Sequence, residues 1–296
     1  MRVLNDRDEK SEPSDLGVMS VLTHSLFAAM GIATVLLTPL PMLVAGLRLV
    51  DPWPKVCAIL GAVIAILVFE ISPVVVTGAF VFGLFVADGV NKSVPFWQMV
   101  GRAALLALVL GGAALALLAA WSHTGIWQAW SHQVHQTITQ VASLLQEKIE
   151  GAAELEKTLL YEGPFLLVSG ALISLWVSVG LVAHLGLLEA NSAYSSSALK
   201  SLRVPAWMSG LFLVLFVLML AAPSPVREFA SGLYRLAGTV LFIQGTVCLA
   251  RLMEVRKVTQ RGRTVAFGLA VLLGFYALVG LGVLSPWILR KKEIKS

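Results

Sequence analysis

The feature that most constrains this chain is the length of its uninterrupted apolar runs. Gly101 to Trp121 carries only Arg102, next to its start, and Pro205 to Ala222 carries no charge. Runs of about 17–25 such residues match the roughly 30 Å hydrocarbon core of a bilayer. Composition agrees. Of 296 residues, 57% are hydrophobic and only 13% charged, against about 25% charged in a soluble domain. The runs are continuous rather than alternating, which argues against a closed barrel. The expected fold is all-α. It is a polytopic transmembrane helical bundle of eight full spans plus one short helix, with one extramembrane amphipathic helix.

The chain divides accordingly. Residues 1–17 mix acids, bases, Pro13 and two serines, and read as a polar tail. Residues 18–121 hold the N-terminal transmembrane helices. The first runs from about Val18 to Thr38 and stops at Pro39 and Pro41, since proline removes a donor and disfavours helix before it. That first run and the charged tail ahead of it do not fit a cleavable leader. The next piece, Met42 to Val50, is too short to cross by length. It reads either as a short tilted helix or as a half-helix covered by protein. Lys55–Phe69 and Pro73–Ala87 follow, joined through Glu70. Residues 122–163 form the extramembrane segment. Trp127, Trp130, Val134, Ile138, Val141, Leu145, Ile149 and Leu155 recur at three- and four-residue spacing, opposite Gln133, Gln136, Gln140, Glu147, Glu150 and Glu154. This helix is expected to lie on the membrane surface or to pack back on the bundle. Residues 164–289 hold the C-terminal transmembrane helices, roughly Pro164–Leu188, Pro205–Ala222, Gly232–Ala250 and Thr264–Leu289. Residues 290–296 are a basic tail.

Net charge is +5, but the bases gather in short loops beside spans, the pattern of orientation signals. A lipid bilayer is the expected partner, and nucleic acid is not. If the Met42–Val50 piece crosses, 14 of the 22 Lys and Arg fall on one side; if it does not, they divide evenly. The uneven division places the amino end in the cytoplasm, along with a basic hinge of Arg251, Arg256, Lys257, Arg261 and Arg263. The 122–163 segment is then outside. The expected location is the bacterial inner membrane, crossed many times. A membrane-protein partner or a second copy is expected beside the lipid.

Polar groups inside the spans are candidates for chemistry, because ionisable groups at membrane depth usually face protein or water. Gln244, Asp88 and His184 are the candidate substrate-binding residues. Gln244 is the deepest. Its amide both donates and accepts, so it either binds a ligand or joins two helices, the commoner role of membrane glutamines. Asp88, followed by Gly89 and Lys92, also reads as a helix end in the headgroup zone. His184 lies near Glu189. Arg235 and Arg251 flank Gln244, each within reach of a headgroup layer. Gly170, Ser174 and Ser178 repeat every four residues, and Gly238 and Gly245 are seven apart. These small residues suit close helix packing.

No catalytic set emerges. His132 and His135 have a zinc-compatible spacing, with His123 nearby, but no Cys and no acid closer than Glu147 completes a shell. Cys57 and Cys248 lie in apolar runs and fit neither a disulfide framework nor a metal site. Walker, dinucleotide, nucleophile-elbow and zincin motifs are lacking. No metal, no cofactor and no enzymatic activity are expected.

Several short stretches carry a resemblance. They are Thr38-Pro-Leu-Pro41-Met-Leu-Val-Ala-Gly46-Leu-Arg48, Leu202-Arg203-Val204-Pro205-Ala-Trp207, Phe242-Ile-Gln244-Gly245-Thr-Val, and Gly280-Leu-Gly282-Val-Leu-Ser285-Pro-Trp287-Ile-Leu-Arg290. Over about residues 20–290 the chain resembles the YybS-like family of bacterial multi-pass inner-membrane proteins. That family is distantly similar to the substrate-binding membrane subunits of energy-coupling-factor vitamin transporters and to MreD-type cell-shape proteins. The resemblance implies a helical bundle of that type and supplies no ligand. Where Ser285 stands, the family commonly has an acid. Two functions follow as expectations: a solute-binding, transporter-like subunit with no nucleotide site of its own, or a structural protein organising other envelope proteins.

Overall fold

In a computed structural model the described residues are 39–48, 53–69, 73–145, 152–184, 187–188, 193–224, 226–259, 262, 265–266 and 275–293. The polar tail, the first apolar run, Glu70, Glu147, Glu150, Glu189, Arg261 and Arg263 lie outside them. The described residues form helices and connecting turns. In chain order the helices are α1 Pro39–Arg48, α2 Trp53–Phe69, α3 Pro73–Asn91, α4 Phe96–Trp121, α5 Ile126–Leu145, α6 Ala152–His184, α7 Ser196–Lys200, α8 Ala206–Ala221, α9 Val226–Val255 and α10 Phe275–Glu293. Among the described residues three segments are long and apolar enough to cross a membrane: Phe96–Trp121, Leu155–His184 and Val226–Val255. Lys55–Leu67, Val75–Asn91, Ala206–Ala221 and Phe275–Ile288 are shorter apolar helices.

The chain forms two units. The first combines the described residues up to Leu106 with Ala171–Leu199. Within it α1 packs on α3 and on α2. Leu40, Met42, Leu43 and Ala45 of α1 are all buried, so this ten-residue helix is covered by protein on that face. Pro39 and Pro41 lie within it, ahead of the Met42 start that the sequence pattern gives. An aromatic cluster sits in the same unit, with the Phe96 ring centroid 5.5 Å from that of Trp176 and 6.4 Å from that of Tyr194.

The second unit holds Ala107–Gly170 and the described residues from Lys200 onward. Its centre is α9, buried without interruption from Ala237 to Cys248, and packed by α8 and α10. Gly245 lies against the Leu278 backbone and Gly282 against the Leu241 backbone. Each contact is one turn from the other on both helices, so α9 and α10 run antiparallel and touch main chain to main chain. Phe212 of α8 stacks on Tyr234 of α9 with centroids 4.4 Å apart.

The 122–163 segment differs from its expected form. It is two helices, and the second does not end before Pro164. Instead α6 runs unbroken from Ala152 to His184 with Pro164 inside it. Proline at 164 removes the N–H that would bond the carbonyl of Leu160. The Trp130 indole N–H of α5 donates to that carbonyl at 3.0 Å, and its ring lies against Gly163. The vacancy is filled from a neighbouring helix, so the helix continues. In α10 the repair comes from within the helix: Pro286 frees the Gly282 carbonyl and the Ser285 hydroxyl donates to it at 2.8 Å. α5 thus folds back along α6, with Ala129, Val134 and Ile138 buried and Trp127 exposed.

Three helix ends are closed in one way. Ser93, His123 and Lys257 adopt φ near +50° after α3, α4 and α9. Val94, Thr124 and Val258 then donate back to the carbonyls of Gly89, Ala119 and Met253. This is the Schellman turn, which usually carries glycine, and none of the three is glycine. α3 accordingly runs past Ala87 to Asn91.

A charged cleft at the head of two parallel helices

The first turns of α6 and α9 carry facing charges. Lys157, Thr158, Tyr161 and Glu162 share one face of α6; Arg227, Glu228, Ser231 and Arg235 share one face of α9, by the one- and four-residue spacing of a helix. Glu162 is buried. Its Oε1 accepts the Ser231 hydroxyl at 2.6 Å, and Arg235 Nε lies 2.6 Å from Oε2. That N–H is not aligned for a hydrogen bond, so the contact is an ion pair. Lys157 Nζ lies 3.2 Å from Glu228, whose two oxygens also accept the Ser224 hydroxyl. Contacts advance together along both helices, so α6 and α9 are parallel here. Between them opens a cleft of about 350 Å³, lined by Lys157, Thr158, Tyr161, Glu162, Arg227, Glu228 and Ser231, with Met219 from α8. Burying a carboxylate is costly unless it is paired and hydrogen-bonded, and Glu162 is both.

The residues singled out by sequence pattern lie elsewhere and are not gathered into one place. Gln244 is buried in α9. Its Oε1 accepts the Val204 N–H at 3.0 Å and its Nε2 donates to the Leu202 carbonyl at 3.5 Å. The amide therefore acts on the chain itself, holding the stretch of backbone before Pro205. Asp88, in the last turn of α3, is exposed and ion-paired with Lys92 at 2.7 Å. His184 is exposed at the end of α6. Asp88 and His184 belong to the first unit and Gln244 to the second.

Of the small residues, Gly245 meets α10 directly and Gly238 faces Phe212. Gly170 has open space where a side chain would project, whereas Ser174 and Ser178 are buried. Arg251 is half-buried; Arg256 and Lys257 are exposed. His135 Nδ1 lies 3.4 Å from Glu156 of α6, and His132 contacts Gln136 at 2.9 Å. Among the described residues no group of three His, Cys, Asp or Glu is placed to hold a metal. Cys57 and Cys248 are both buried.

Nothing in the sequence pattern singles out Glu162, Arg227, Glu228 or Ser231. The available signal is weak: an acid two residues ahead of Pro164 where an apolar run begins, and a base within α9, at Arg235, that needs a partner.

The family described as "Predicted membrane protein (DUF2232)" matches residues 16–284. The chain belongs to this family. No curated protein and no solved structure matches it. With the three membrane-length apolar helices, the family places this chain among helical membrane proteins.

Proposed function

We propose that this member of the family is a multi-pass protein of the bacterial inner membrane that binds a small solute as a transporter-like subunit. It carries no nucleotide site and relies on a partner for energy. In this reading eight spans and the short helix α1 form the bundle, and the basic hinge after α9 is cytoplasmic. The parallel course of α6 and α9, with α8 returning between them in the chain, fits that threading. The cleft then opens to the exterior, where a solute to be taken up arrives. The likeness to YybS-like proteins, and through them to substrate-binding subunits of vitamin transporters, points the same way. The observation that carries the reading is the 350 Å³ cleft, which falls within the usual volume of a small-ligand site. Binding there replaces binding at Gln244, whose amide is engaged by backbone. The protein is read as a binding protein and not an enzyme.

A second reading, a structural protein organising other envelope proteins, is favoured by Gly170. This exposed glycine of α6 leaves room for a neighbouring helix. A panel of vitamins, their precursors and small anions, tested against the purified full chain in detergent, separates the two. Stabilisation on the order of 2–3 kcal/mol at a hundredfold excess over Kd supports solute binding. No shift with any solute, together with stable co-purification of a membrane protein that Gly170→Leu abolishes, replaces it with the structural reading.

A further inference from the structure

We infer that the cleft between α6 and α9 takes a phosphodiester, with Arg227 as its principal anchor. The inference rests on the reading of that cleft as a binding site and adds the ligand's chemistry. Five charges define the place. Arg235 pairs with Glu162 from behind, and Lys157 pairs with Glu228. Arg227 lines the cleft, is exposed, and its side chain has no partner among the described residues. Three cations against two carboxylates leave one positive charge, and it is located on Arg227. The positive end of the α9 macrodipole lies in the same turn and adds to it.

A guanidinium presents a planar fork of donors that matches two oxygens of one phosphorus. Thr158, Tyr161 and Ser231 line the remainder of the cleft, the Ser231 hydroxyl donating to Glu162. A phosphodiester carries one negative charge, equal to the one in surplus. A second negative charge, as on a phosphate monoester, would face Glu228 uncompensated.

The depth of the cleft bears on the ligand's source. The Tyr161 ring lies 6.0 Å from that of Trp127, and both residues are exposed. Exposed Trp and Tyr at the end of an apolar helix mark the headgroup layer. A phosphodiester at that depth belongs either to a lipid headgroup or to a soluble diester arriving from water.

The test uses the purified full chain in detergent, with phosphatidylglycerol and its deacylated headgroup, glycerophosphoglycerol, as probes. Binding is read by native mass spectrometry and thermal shift. At least one probe binds, Arg227→Gln weakens it about tenfold or more, Arg227→Lys weakens it less, and Glu228→Gln, which frees Lys157, tightens it. Binding of the lipid alone assigns the site to a headgroup; binding of the deacylated diester assigns it to a soluble solute. Failure of both probes to bind, or binding that Arg227→Gln leaves unchanged, overturns the inference. If another small molecule then stabilises wild type and Arg227→Gln alike, the solute-binding reading survives without the phosphodiester.

Discussion

The Trp130 indole N–H donates to the Leu160 carbonyl, and Leu160 is four residues ahead of Pro164. A defect that one helix cannot repair is repaired by its neighbour, which joins α5 to α6. Trp130→Phe should leave that carbonyl unpaired and cost about 1–3 kcal/mol, read as a lower Tm in detergent. In a Pro164→Ala background the helix regains its own N–H at that position. There the Trp130→Phe penalty should shrink markedly, and an equal penalty in both backgrounds would refute the coupling.

Gln244 predicts a loss of fold rather than of affinity. Gln244→Leu removes the acceptor for the buried Val204 N–H and the donor for Leu202. The expected cost is about 1–3 kcal/mol for an unsatisfied buried group, seen as reduced Tm and easier proteolysis near residues 201–205. Solute-dependent stabilisation should persist in whatever protein remains folded.

Two glycines on one helix should respond oppositely to alanine. Gly282 touches the Leu241 backbone, while at Gly280 the place a methyl group would take has no neighbour within 4 Å. Gly280→Ala should be neutral or stabilise by up to about 1 kcal/mol through helix propensity. Gly282→Ala must push α9 and α10 apart and should lower the yield of folded protein. Gly245→Ala should behave like Gly282→Ala. Thermal melts of the three variants decide this.

The Glu162–Arg235 pair should be asymmetric to mutation. Arg235 is about half exposed and can reach solvent alone, whereas Glu162 is buried. Arg235→Met strands a buried carboxylate, a change that costs about 3–5 kcal/mol in buried pairs and less here because Arg235 is exposed. Glu162→Gln should cost less, since it keeps an acceptor for Ser231. Combining the two should recover stability relative to Arg235→Met alone, as a double-mutant cycle of Tm would record.

Burial pushes the Tyr194 hydroxyl up to about 12, with the nearby Arg102 charge pulling it down. A raised folded-state value means the unfolded chain loses its proton first, near the ordinary value of about 10. The contribution of Tyr194 to stability is therefore complete below about pH 10 and declines as pH rises towards 12. Ultraviolet titration of phenolate should show a late-ionising tyrosine that Tyr194→Phe removes. Ionisation of that component at the ordinary value would contradict the burial.

The apolar runs and the three- and four-residue periodicity of α5 were legible as helices because they depend on local pattern and span length, whereas Pro39 and Pro41, read as the stop of the run before them, lie inside α1. What escaped was tertiary. Pro164 is a helix stop by local rules, and remains inside α6 because Trp130, distant in sequence, occupies the carbonyl it frees. His123, read as a possible metal neighbour, is the left-handed residue that ends α4. Gln244 could be read as a ligand residue or as a link between helices because depth in an apolar helix is visible in sequence, whereas the backbone it grips, 40 residues away, is not.

By itself the sequence determined the solvent this chain folds in, since too few charges and long apolar stretches leave only a bilayer to satisfy them. The tertiary structure decided which polar groups are consumed in holding the helices together and which remain. Hydrogen bonds and ion pairs between distant residues close Gln244 and Glu162 internally. Arg227 stays open because the charges around it are already matched, and that matching exists only once α6 and α9 lie side by side.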